Sequence, residues 1–265
     1  MAEKSRIDVL MVERGLTESR ALAQRLIMAG QVRLNGQTVH KASETAGKDG
    51  VIEIEALPKF VSRGGDKLEA ALLAFEVLPA GWVCADVGAS TGGFTDCLLQ
   101  SGATSVYAID VGKGQLHWRL RSDERVTCLE ETNARYLDHL PEPVDLVVVD
   151  VSFISLALIL PNAKAWLKPD GVIIALIKPQ FEAGKRQVRK GGVVRDPGIH
   201  EQVLYAVLEE TDRVGLYPWG LIQSPLKGPK GNIEFLVFLA QSPGTSLTED
   251  LIKSVLTEDK THDGG

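Results

Sequence analysis

The stretch GWVCADVGASTGGFTD, residues 81–96, is an apolar run that ends in Asp86 and a glycine-rich turn. Four similar runs follow it: TSVYAIDVG (104–112), RVTCLEETN (125–133), VDLVVVDVS (144–152) and GVIIALIKP (171–179). Helical patterns lie between several of them, at 91–101 and 155–167. Near-continuous apolar strands that alternate with helices are typical of a sheet covered on both faces. The sequence therefore predicts an α/β fold with a doubly wound sheet, and GNIEFLVFLA (231–240) supplies its last strand.

The composition is that of a globular protein. The chain has 265 residues, 44% apolar and 24% charged, which is enough for one large domain, or an ordinary domain with a small one. The net charge of -6 does not by itself indicate a nucleic-acid partner. Three cysteines without C-x-x-C spacing predict neither a metal site nor a disulfide framework. With no signal peptide and no apolar run of the ~18 residues that span a bilayer, we expect a cytoplasmic protein without a membrane partner.

The first 55 residues have a different organisation. RIDVLMVERG (6–15) and LTESRALAQRLIMAG (16–30) are two helical patterns, and Thr17 is the expected N-cap of the second. QVRLNGQTV (31–39) predicts a hairpin that turns at Asn35-Gly36, and GVIEIE (50–55) is a further short strand. We therefore predict a small α+β domain at 1–55, a linker at 56–64, a large domain at 65–240 and a polar tail at 241–265. The composition of the tail is typical of partial disorder.

Basic side chains of the small domain are candidate RNA contacts. A surface shared by Arg20, Arg25 and Arg33 would suit a phosphate backbone, although charge alone favours a solvated helix face. The pattern SRALAQRLIMAGQVRLNGQTV (19–39) closely resembles the αL RNA-binding module of a small-subunit ribosomal protein, many pseudouridine synthases and bacterial tyrosyl-tRNA synthetases. The resemblance implies a domain that binds structured RNA by its shape and phosphates.

The glycine-rich loop DVGASTGGFTD (86–96) predicts a nucleotide-like ligand, because ligands of such sheets bind beyond the carboxyl ends of the strands. The dinucleotide pattern G-x-G-x-x-G is absent from it. Asp110, at the end of the second strand, is placed to accept ribose hydroxyls, a device common to NAD and S-adenosylmethionine enzymes. The loop favours S-adenosylmethionine; NAD is the alternative, and a purely structural loop is the third. The candidate cofactor residues are Asp86, Gly88, Ala89, Ser90, Thr91, Gly92, Gly93, Phe94, Asp110, Asn133 and Asp150.

Several motifs in fixed order carry a resemblance to a known family. They are SRGGDKLEAAL, DVGASTGGFTDCLL, DVSFISL, IKPQFE, GGVVRD and SPLKGPKGNIEF. Together with the αL module they resemble the TlyA family of RNA methyltransferases, whose catalytic domain is similar to FtsJ-type ribose 2′-O-methyltransferases. The resemblance extends to about residue 240. It implies a Rossmann-like methyltransferase sheet, S-adenosylmethionine as cofactor, and cytidine in small- or large-subunit ribosomal RNA as target.

The same resemblance implies a Lys-Asp-Lys-Glu catalytic tetrad. The matching residues are Lys67, Asp150, Lys178 and Glu234. Lys178 is the hardest to explain otherwise, since solvation poorly accounts for a lysine after GVIIALI. A neutral Lys178 would take the proton of the ribose hydroxyl, while a charged one would orient that hydroxyl and stabilise the developing alkoxide. We favour the base role. Taken singly, Lys67 fits a surface helix, Asp150 a turn cap and Glu234 the polar face of an edge strand.

A basic segment follows the Lys178 strand. KRQVRKGGVVR (185–195) holds five cations and no acid, which predicts an RNA-facing loop, or else a mobile charged loop. Trp118 and Phe153 are further candidates for stacking on a flipped base. The RNA-binding candidates are Arg6, Arg20, Arg25, Arg33, Arg63, Lys185, Arg186, Arg189 and Lys190.

Three functions are compatible with these features. The first is S-adenosylmethionine-dependent ribose 2′-O-methylation of ribosomal RNA or ribosomal subunits. The second is a membrane-active haemolysin, because family members often carry that label; it requires a spanning or basic amphipathic helix, and the sequence contains none. The third is a non-catalytic RNA-binding assembly factor, against which the intact tetrad argues.

Overall fold

The computed structural model describes residues 4–47, 49–54, 58–184, 192–228, 230–244 and 247–257. It consists of two compact units, Met1–Pro58 and Lys59–Gly265. The predicted linker, 56–64, therefore falls across the division between them. Phe60 is buried in the core of the large unit, where it packs against Gly65 so closely that a Cβ there would lie 2.2 Å from the Phe60 ring. Residues 59–64 of the predicted linker thus belong to the large unit.

The described residues of the small unit form two helices and five short strands. The elements are β1 (Lys4–Arg6), α1 (Ile7–Glu13), α2 (Arg20–Met28), β2 (Val32–Leu34), β3 (Gln37–Thr38), β4 (Thr45–Gly47) and β5 (Ile52–Ile54). Strands β3, β2 and β5 form one antiparallel sheet, and β1 pairs with β4. Asn35 and Gly36 turn the hairpin with positive φ angles of 50° and 80°, as the Asn-Gly pair predicts. The N-cap of α2 is Ser19, which accepts a hydrogen bond from Leu22 N, and not the expected Thr17.

A buried carboxylate ties the two helices of the small unit together. Asp8 on α1 is fully buried and accepts hydrogen bonds from Arg6, Arg20 and Gln24 at 2.8–3.0 Å. The bonds from Arg6 contribute most to holding the pKa of Asp8 far below its usual range. Arg6 and Arg20 remain about half exposed, so both keep one face towards solvent.

Asp8→Ala is expected to destabilise the small unit by about 1–3 kcal/mol, because hydrogen bonds to charged groups are lost from both helices. Amide hydrogen exchange of α2 in the full chain measures this, since all tryptophans and tyrosines lie in the large unit. Because the pKa of Asp8 is lowered by folding, its contribution is present at neutral pH and lost as the pH falls through the acid range. Glu13→Ala, at an exposed acid on the same helix, is the control. Equal exchange in both variants would contradict the role of Asp8.

Seven strands form one sheet in the part of the large unit that the structure describes. Its elements are α3 (Gly64–Ala74), β6 (Val83–Val87), α4 (Gly93–Gln100), β7 (Ser105–Ile109), α5 (Trp118–Arg121), β8 (Val126–Leu129), β9 (Val144–Val149), α6 (Leu160–Ala165), β10 (Leu167–Ile177), α7 (Pro179–Glu182), α8 (Pro197–Arg213), β11 (Tyr217–Gln223), β12 (Phe235–Ala240) and α9 (Thr248–Thr257). The strand order is β11-β12-β10-β9-β6-β7-β8. Strands β6 to β10 pair in parallel, and β12 runs antiparallel to both of its neighbours.

Both faces of this sheet are covered, as the continuous apolar strands predict. One apolar cluster joins the sheet to α6, α8 and α9 through residues such as Leu160, Leu204 and Ile252. The other joins the opposite face to α3 and α4 through Leu68 and Leu98. The doubly wound α/β prediction is therefore confirmed.

The segment after residue 240 differs from the expectation of a polar, partly disordered tail. Helix α9 lies within it and buries Ile252 and Val255 in the core of the large unit. The apolar residues of α9 have helical spacing. The segment is polar on average, so the sequence analysis did not predict a helix there. None of the helices in the described ranges has the length and apolar character needed to cross a membrane.

Candidate functional site

The antiparallel direction of β12 brings distant residues to one edge of the sheet. Strands β9 and β10 end at that edge, where Asp150 and Lys178 follow them directly. Strand β12 begins there, and Ile177 pairs with Phe235 in the register of β10 and β12. Lys178 directly follows Ile177, and Glu234 directly precedes Phe235. The two residues therefore lie side by side at the same edge. Glu234 precedes β12 by one residue, whereas the sequence interpretation put it inside the strand.

The four predicted catalytic residues form two ion pairs. Lys178 Nζ lies 2.5 Å from Asp150 Oδ1, and it also donates to Ser152 Oγ at 3.0 Å. Lys67 Nζ, on α3, donates to Glu234 Oε2 at 2.6 Å. The side chains of Lys67 and Lys178 are about nine-tenths buried, and Glu234 is 1% exposed. The Asp150 side chain is 24% exposed, and burial of the other three charges is tolerable only because each has an opposite charge in contact.

A cleft of about 230 Å³ opens beside these pairs. Lys67 and Asp150 line it, together with most of the predicted cofactor loop and with residues outside that prediction. The lining residues are Ser62, Arg63, Gly64, Lys67, Asp86, Gly88, Ala89, Ser90, Thr91, Gly93, Phe94, Asp150, Leu226 and Lys227. Ser62 and Gly64 were assigned to a linker, although they belong to the motif SRGGDKLEAAL. The cleft thus joins one member of each ion pair to the glycine-rich loop.

The glycines of the loop are required by the packing of the chain on itself. Gly88 has a φ of +84°, and a Cβ there would lie 2.4 Å from the carbonyl oxygen of Asp150. A Cβ at Gly93 would lie 2.3 Å from Ser62 Oγ, and one at Gly92 (φ +96°) 2.3 Å from a methyl of Leu120. Their absent side chains let the loop pack against Asp150 and α3. In this way the glycines bring the loop and the catalytic residues to one cleft.

Asp86 is a buried carboxylate, and only one of its two oxygens has hydrogen-bond partners among the described residues. Its Oδ2 accepts hydrogen bonds from Thr95 N at 2.8 Å and Thr95 Oγ1 at 2.6 Å. Its Oδ1 has no hydrogen-bond partner among the described residues. The pKa of Asp86 is raised to about 7, chiefly by burial and also by the charges of Asp150 and Asp110, while the hydrogen bonds from Thr95 act in the opposite direction. An unpartnered carboxylate oxygen at a cleft wall suits a cationic or hydrogen-bond-donating group of a ligand.

Asp86→Asn is expected to stabilise the unliganded large unit at alkaline pH. Between roughly pH 4 and 7 the folded protein keeps a proton on Asp86 that the unfolded chain releases, so wild-type stability falls as the pH rises through this window. The substitution should remove this pH-dependent loss of stability, which amounts to about 4 kcal/mol at most. Urea unfolding followed by tryptophan fluorescence at pH 4.5 and 8 measures it, with the exposed Asp170→Asn as control. A pH dependence identical to that of the wild type would contradict the assignment.

Three predicted cofactor residues, Gly92, Asp110 and Asn133, lie outside the cleft lining. Asp110 accepts hydrogen bonds from Ser90 N at 2.8 Å and Gly112 N at 2.6 Å, so it ties the glycine-rich loop to the end of β7. Each of its oxygens can accept a further bond. Asn133 caps a 3₁₀ helix by accepting from Arg135 N. The adenine contact expected of Asn133 stays a prediction.

Comparisons with known proteins agree with this architecture. The model of the FtsJ-like methyltransferase family matches residues 60–241, and the model of the S4 domain matches residues 5–52. The 16S/23S rRNA (cytidine-2′-O)-methyltransferase TlyA of Mycobacterium tuberculosis is 44% identical over 268 residues, which cover 97% of this chain and 99% of the relative. The chain belongs to the TlyA family of FtsJ-like methyltransferases. The predicted family is thereby confirmed.

Two further relatives span almost all of this TlyA-family chain. YqxC of Bacillus subtilis, which has a provisional rRNA-methyltransferase name, is 46% identical over 97% of this chain and 94% of its own. A solved structure from Streptococcus thermophilus, with a provisional hemolysin name, aligns over 100% of both chains with a TM-score of 0.74 and 40% identity. Family membership makes this protein a methyltransferase and implies S-adenosylmethionine as its methyl donor. The S4 match makes the small unit an RNA-binding domain.

The RNA-binding predictions for this TlyA-family protein fall into three groups. Arg63 lines the cleft, and so does Lys227. In the S4 unit Arg25 is exposed, Arg33 donates to Gly36 O at 3.2 Å, and Arg6 and Arg20 bind Asp8. The third group, Lys185, Arg186, Arg189 and Lys190, lies outside the described residues.

Both side chains predicted to stack on a base are largely exposed. Phe153 is 90% exposed and Trp118 70%. Phe153 has a positive φ of 64° and packs on Phe181 with ring centroids 4.8 Å apart. The Phe181 ring in turn lies 5.8 Å from Lys178 Nζ. Phe153 thus stands next to the Asp150–Lys178 pair, where the sequence interpretation expected a base-stacking group.

Proposed function

We propose that this protein methylates the ribose 2′-hydroxyl of cytidine in ribosomal RNA. The observation that carries the proposal is the presence of two ion pairs, Asp150–Lys178 and Lys67–Glu234, beside a glycine-rich loop. It is supported by near full-length similarity to a relative named as a 16S/23S rRNA (cytidine-2′-O)-methyltransferase. The S4 unit supports RNA as the substrate.

The residues around the cleft fit S-adenosylmethionine. The unpartnered Oδ1 of Asp86 would accept from the ammonium of the methionine portion, and the carboxylate of Asp110 would accept from ribose hydroxyls. When bound, the cofactor supplies an electrophilic methyl carbon on a sulfonium. Asp86→Asn should therefore weaken cofactor binding about 10- to 100-fold, since a charge-assisted hydrogen bond is lost. Isothermal titration of the full chain would detect this effect, which is opposite in sign to the one expected for stability.

The chain's own task is to hold and activate a weak nucleophile. A neutral ribose hydroxyl attacks poorly, so it must be fixed in line with the methyl carbon and lose its proton as the bond forms. Lys178 is the group assigned to that proton: its ammonium first releases a proton to solvent, and the neutral amine then accepts the one from the hydroxyl. Asp150 and Ser152 hold this amine in place. Lys67 places a second amine at the cleft wall, where it stabilises negative charge developing on the oxygen.

RNA docking is assigned to two basic regions, each within its own unit. In the S4 unit the exposed faces of Arg6, Arg20 and Arg25 are available to phosphates. In the large unit Arg63 and Lys227 border the cleft, where they would contact the backbone near the target nucleotide. Phe153 is assigned to stacking on the splayed base.

The test is methyl transfer from labelled S-adenosylmethionine to isolated small and large ribosomal subunits. We expect label in ribosomal RNA with the wild type and none with Lys178→Ala. Because a 2′-O-methyl group blocks alkaline cleavage of the adjoining phosphodiester, alkali should release the label in dinucleotides containing 2′-O-methylcytidine. Label in mononucleotides would indicate base methylation and contradict the proposal, as would label unchanged by the substitution.

The alternatives give different outcomes in parallel assays. Lysis of red cells by purified protein, undiminished by Lys178→Ala, would support the activity in the hemolysin names of relatives. Tight ribosome binding without methyl transfer by the wild type would support an assembly factor.

A further inference from the structure

Gln180 extends from the catalytic lysine to the second ion pair. It lies in the first turn of α7, two residues after Lys178. Its Nε2 donates to Glu234 Oε1 at 3.2 Å, while Glu234 Oε2 accepts from Lys67. Gln180 therefore joins the segment that carries one ion pair to the carboxylate of the other.

The carboxylate of Glu234 is tightly enclosed, so it has little room to rotate or shift. It is 1% exposed, and Gly228 packs so closely that a Cβ there would lie 2.4 Å from Glu234 Oε1. Lys67 and Gln180 are the donors that contact it among the described side chains. The Lys67 amine holds one carboxylate oxygen and the Gln180 amide holds the other, so the two donors together set the rotation of the carboxylate. That rotation in turn sets where the Lys67 amine stands at the cleft.

The carbonyl oxygen of the Gln180 amide lowers the stability of the fold while the amide nitrogen contacts Glu234. Gln180 Oε1 is buried and accepts no hydrogen bond from the residues that the structure describes. Turning the amide over would place that oxygen against the carboxylate oxygen of Glu234, so Glu234 dictates its orientation. A buried carbonyl without a partner is destabilising, and a methionine would fill the same volume without that penalty. A side chain that lowers stability next to catalytic groups is typical of a functional constraint.

We infer that Gln180 is a positioning residue for methyl transfer: it orients Glu234 and, through Glu234, fixes the amine of Lys67 at the cleft. This inference rests on the proposed function for its effect on rate. Its structural half, the position of Lys67, is independent of the substrate.

The main test replaces Gln180 with methionine. We expect Gln180→Met to lower kcat about 10- to 100-fold, as small misplacements of catalytic groups do, with KM for the ribosomal subunit unchanged within twofold. Its stability should equal or exceed that of the wild type. The matched control is Gln241→Met: Gln241 donates to Lys168 O, Pro169 O and Gly171 O at the opposite edge of the sheet. That variant should lose stability and keep kcat.

A second variant reports on the hydrogen bond itself. Gln180→Glu places a carboxylate against Glu234, and two adjacent carboxylates bind a shared proton more readily. The rate of this variant relative to the wild type should therefore rise as the pH falls from 8 to 6, because the shared proton restores a donor. Gln180→Met should show no such recovery. A constant ratio for both variants would contradict the proposed contact.

An activity-independent measurement keeps the two proposals separate. The acylation rate of the Lys67 amine, followed by mass spectrometry, should rise several-fold in Gln180→Met and stay unchanged in Gln241→Met. An unchanged Lys67 rate, or a loss of kcat matched by a loss of stability, overturns the inference about Gln180. Absence of methyl transfer by the wild type, with the Lys67 effect present, overturns the proposed function and leaves the positioning of Lys67 standing.

Discussion

Lys178→Met should lower the single-turnover rate of methyl transfer by about 10³-fold, because the group assigned to the 2′ proton is lost and a general base contributes about 10²–10⁴. The dissociation constant for S-adenosylmethionine should change less than threefold, since Lys178 is not among the residues that line the cleft. Rapid mixing of excess enzyme with labelled cofactor and ribosomal subunits gives the rate. A drop confined to KM would mean that Lys178 binds RNA and does not act on the proton.

Lys178→Arg distinguishes the two roles that the sequence left open. Arginine keeps the charge but cannot lose its proton, so it can orient an alkoxide and cannot act as a base. We expect it to be as slow as Lys178→Met. Lys168→Met is the matched control, since Lys168 binds Asp145 at 2.8 Å near the other end of β10. An arginine variant within tenfold of the wild type would exclude the base role.

The placement of the catalytic residues shows what the sequence could and could not predict. Apolar runs locate strand ends, so Asp150 and Lys178 could be assigned to one edge of the sheet from chain order alone. Glu234 could not be placed by the same reasoning, because its position depends on β12 entering the sheet antiparallel and next to β10. Residue composition does not indicate the direction or the position of a strand in a sheet. Only the family motif linked Glu234 to Lys67 beforehand.

The cations of the small unit illustrate a second limit. Arg6 and Arg20 were predicted as RNA contacts from charge, and the structure gives each an additional role as a partner of the buried Asp8. No periodicity distinguishes an aspartate that will be buried from one on a solvated face. The helix α9 was missed for the opposite reason, since two buried residues in it, Ile252 and Val255, are outweighed by polar neighbours. Burial is a property of tertiary packing, and local pattern only restricts it.

The Lys67–Glu234 pair should show strong coupling in a double-mutant cycle. Removing one partner leaves a buried charge without its counterion, which costs about 3–5 kcal/mol. Lys67→Met should be the worse single change, because Glu234 is 1% exposed and the Lys67 side chain 11%. Lys67→Met combined with Glu234→Gln leaves no unpaired charge, so we expect the double variant to recover at least about 2 kcal/mol relative to Lys67→Met.

Urea unfolding followed by tryptophan fluorescence measures these free energies for the large unit alone, because all four tryptophans lie in it. The double variant should be stable and inactive, since an ion pair that is dispensable for folding is still needed at the cleft. Additive losses of stability would mean that the two side chains do not act as a pair. A stable double variant with wild-type kcat would remove Lys67 and Glu234 from the catalytic site and leave the Asp150–Lys178 pair as its remaining ion pair.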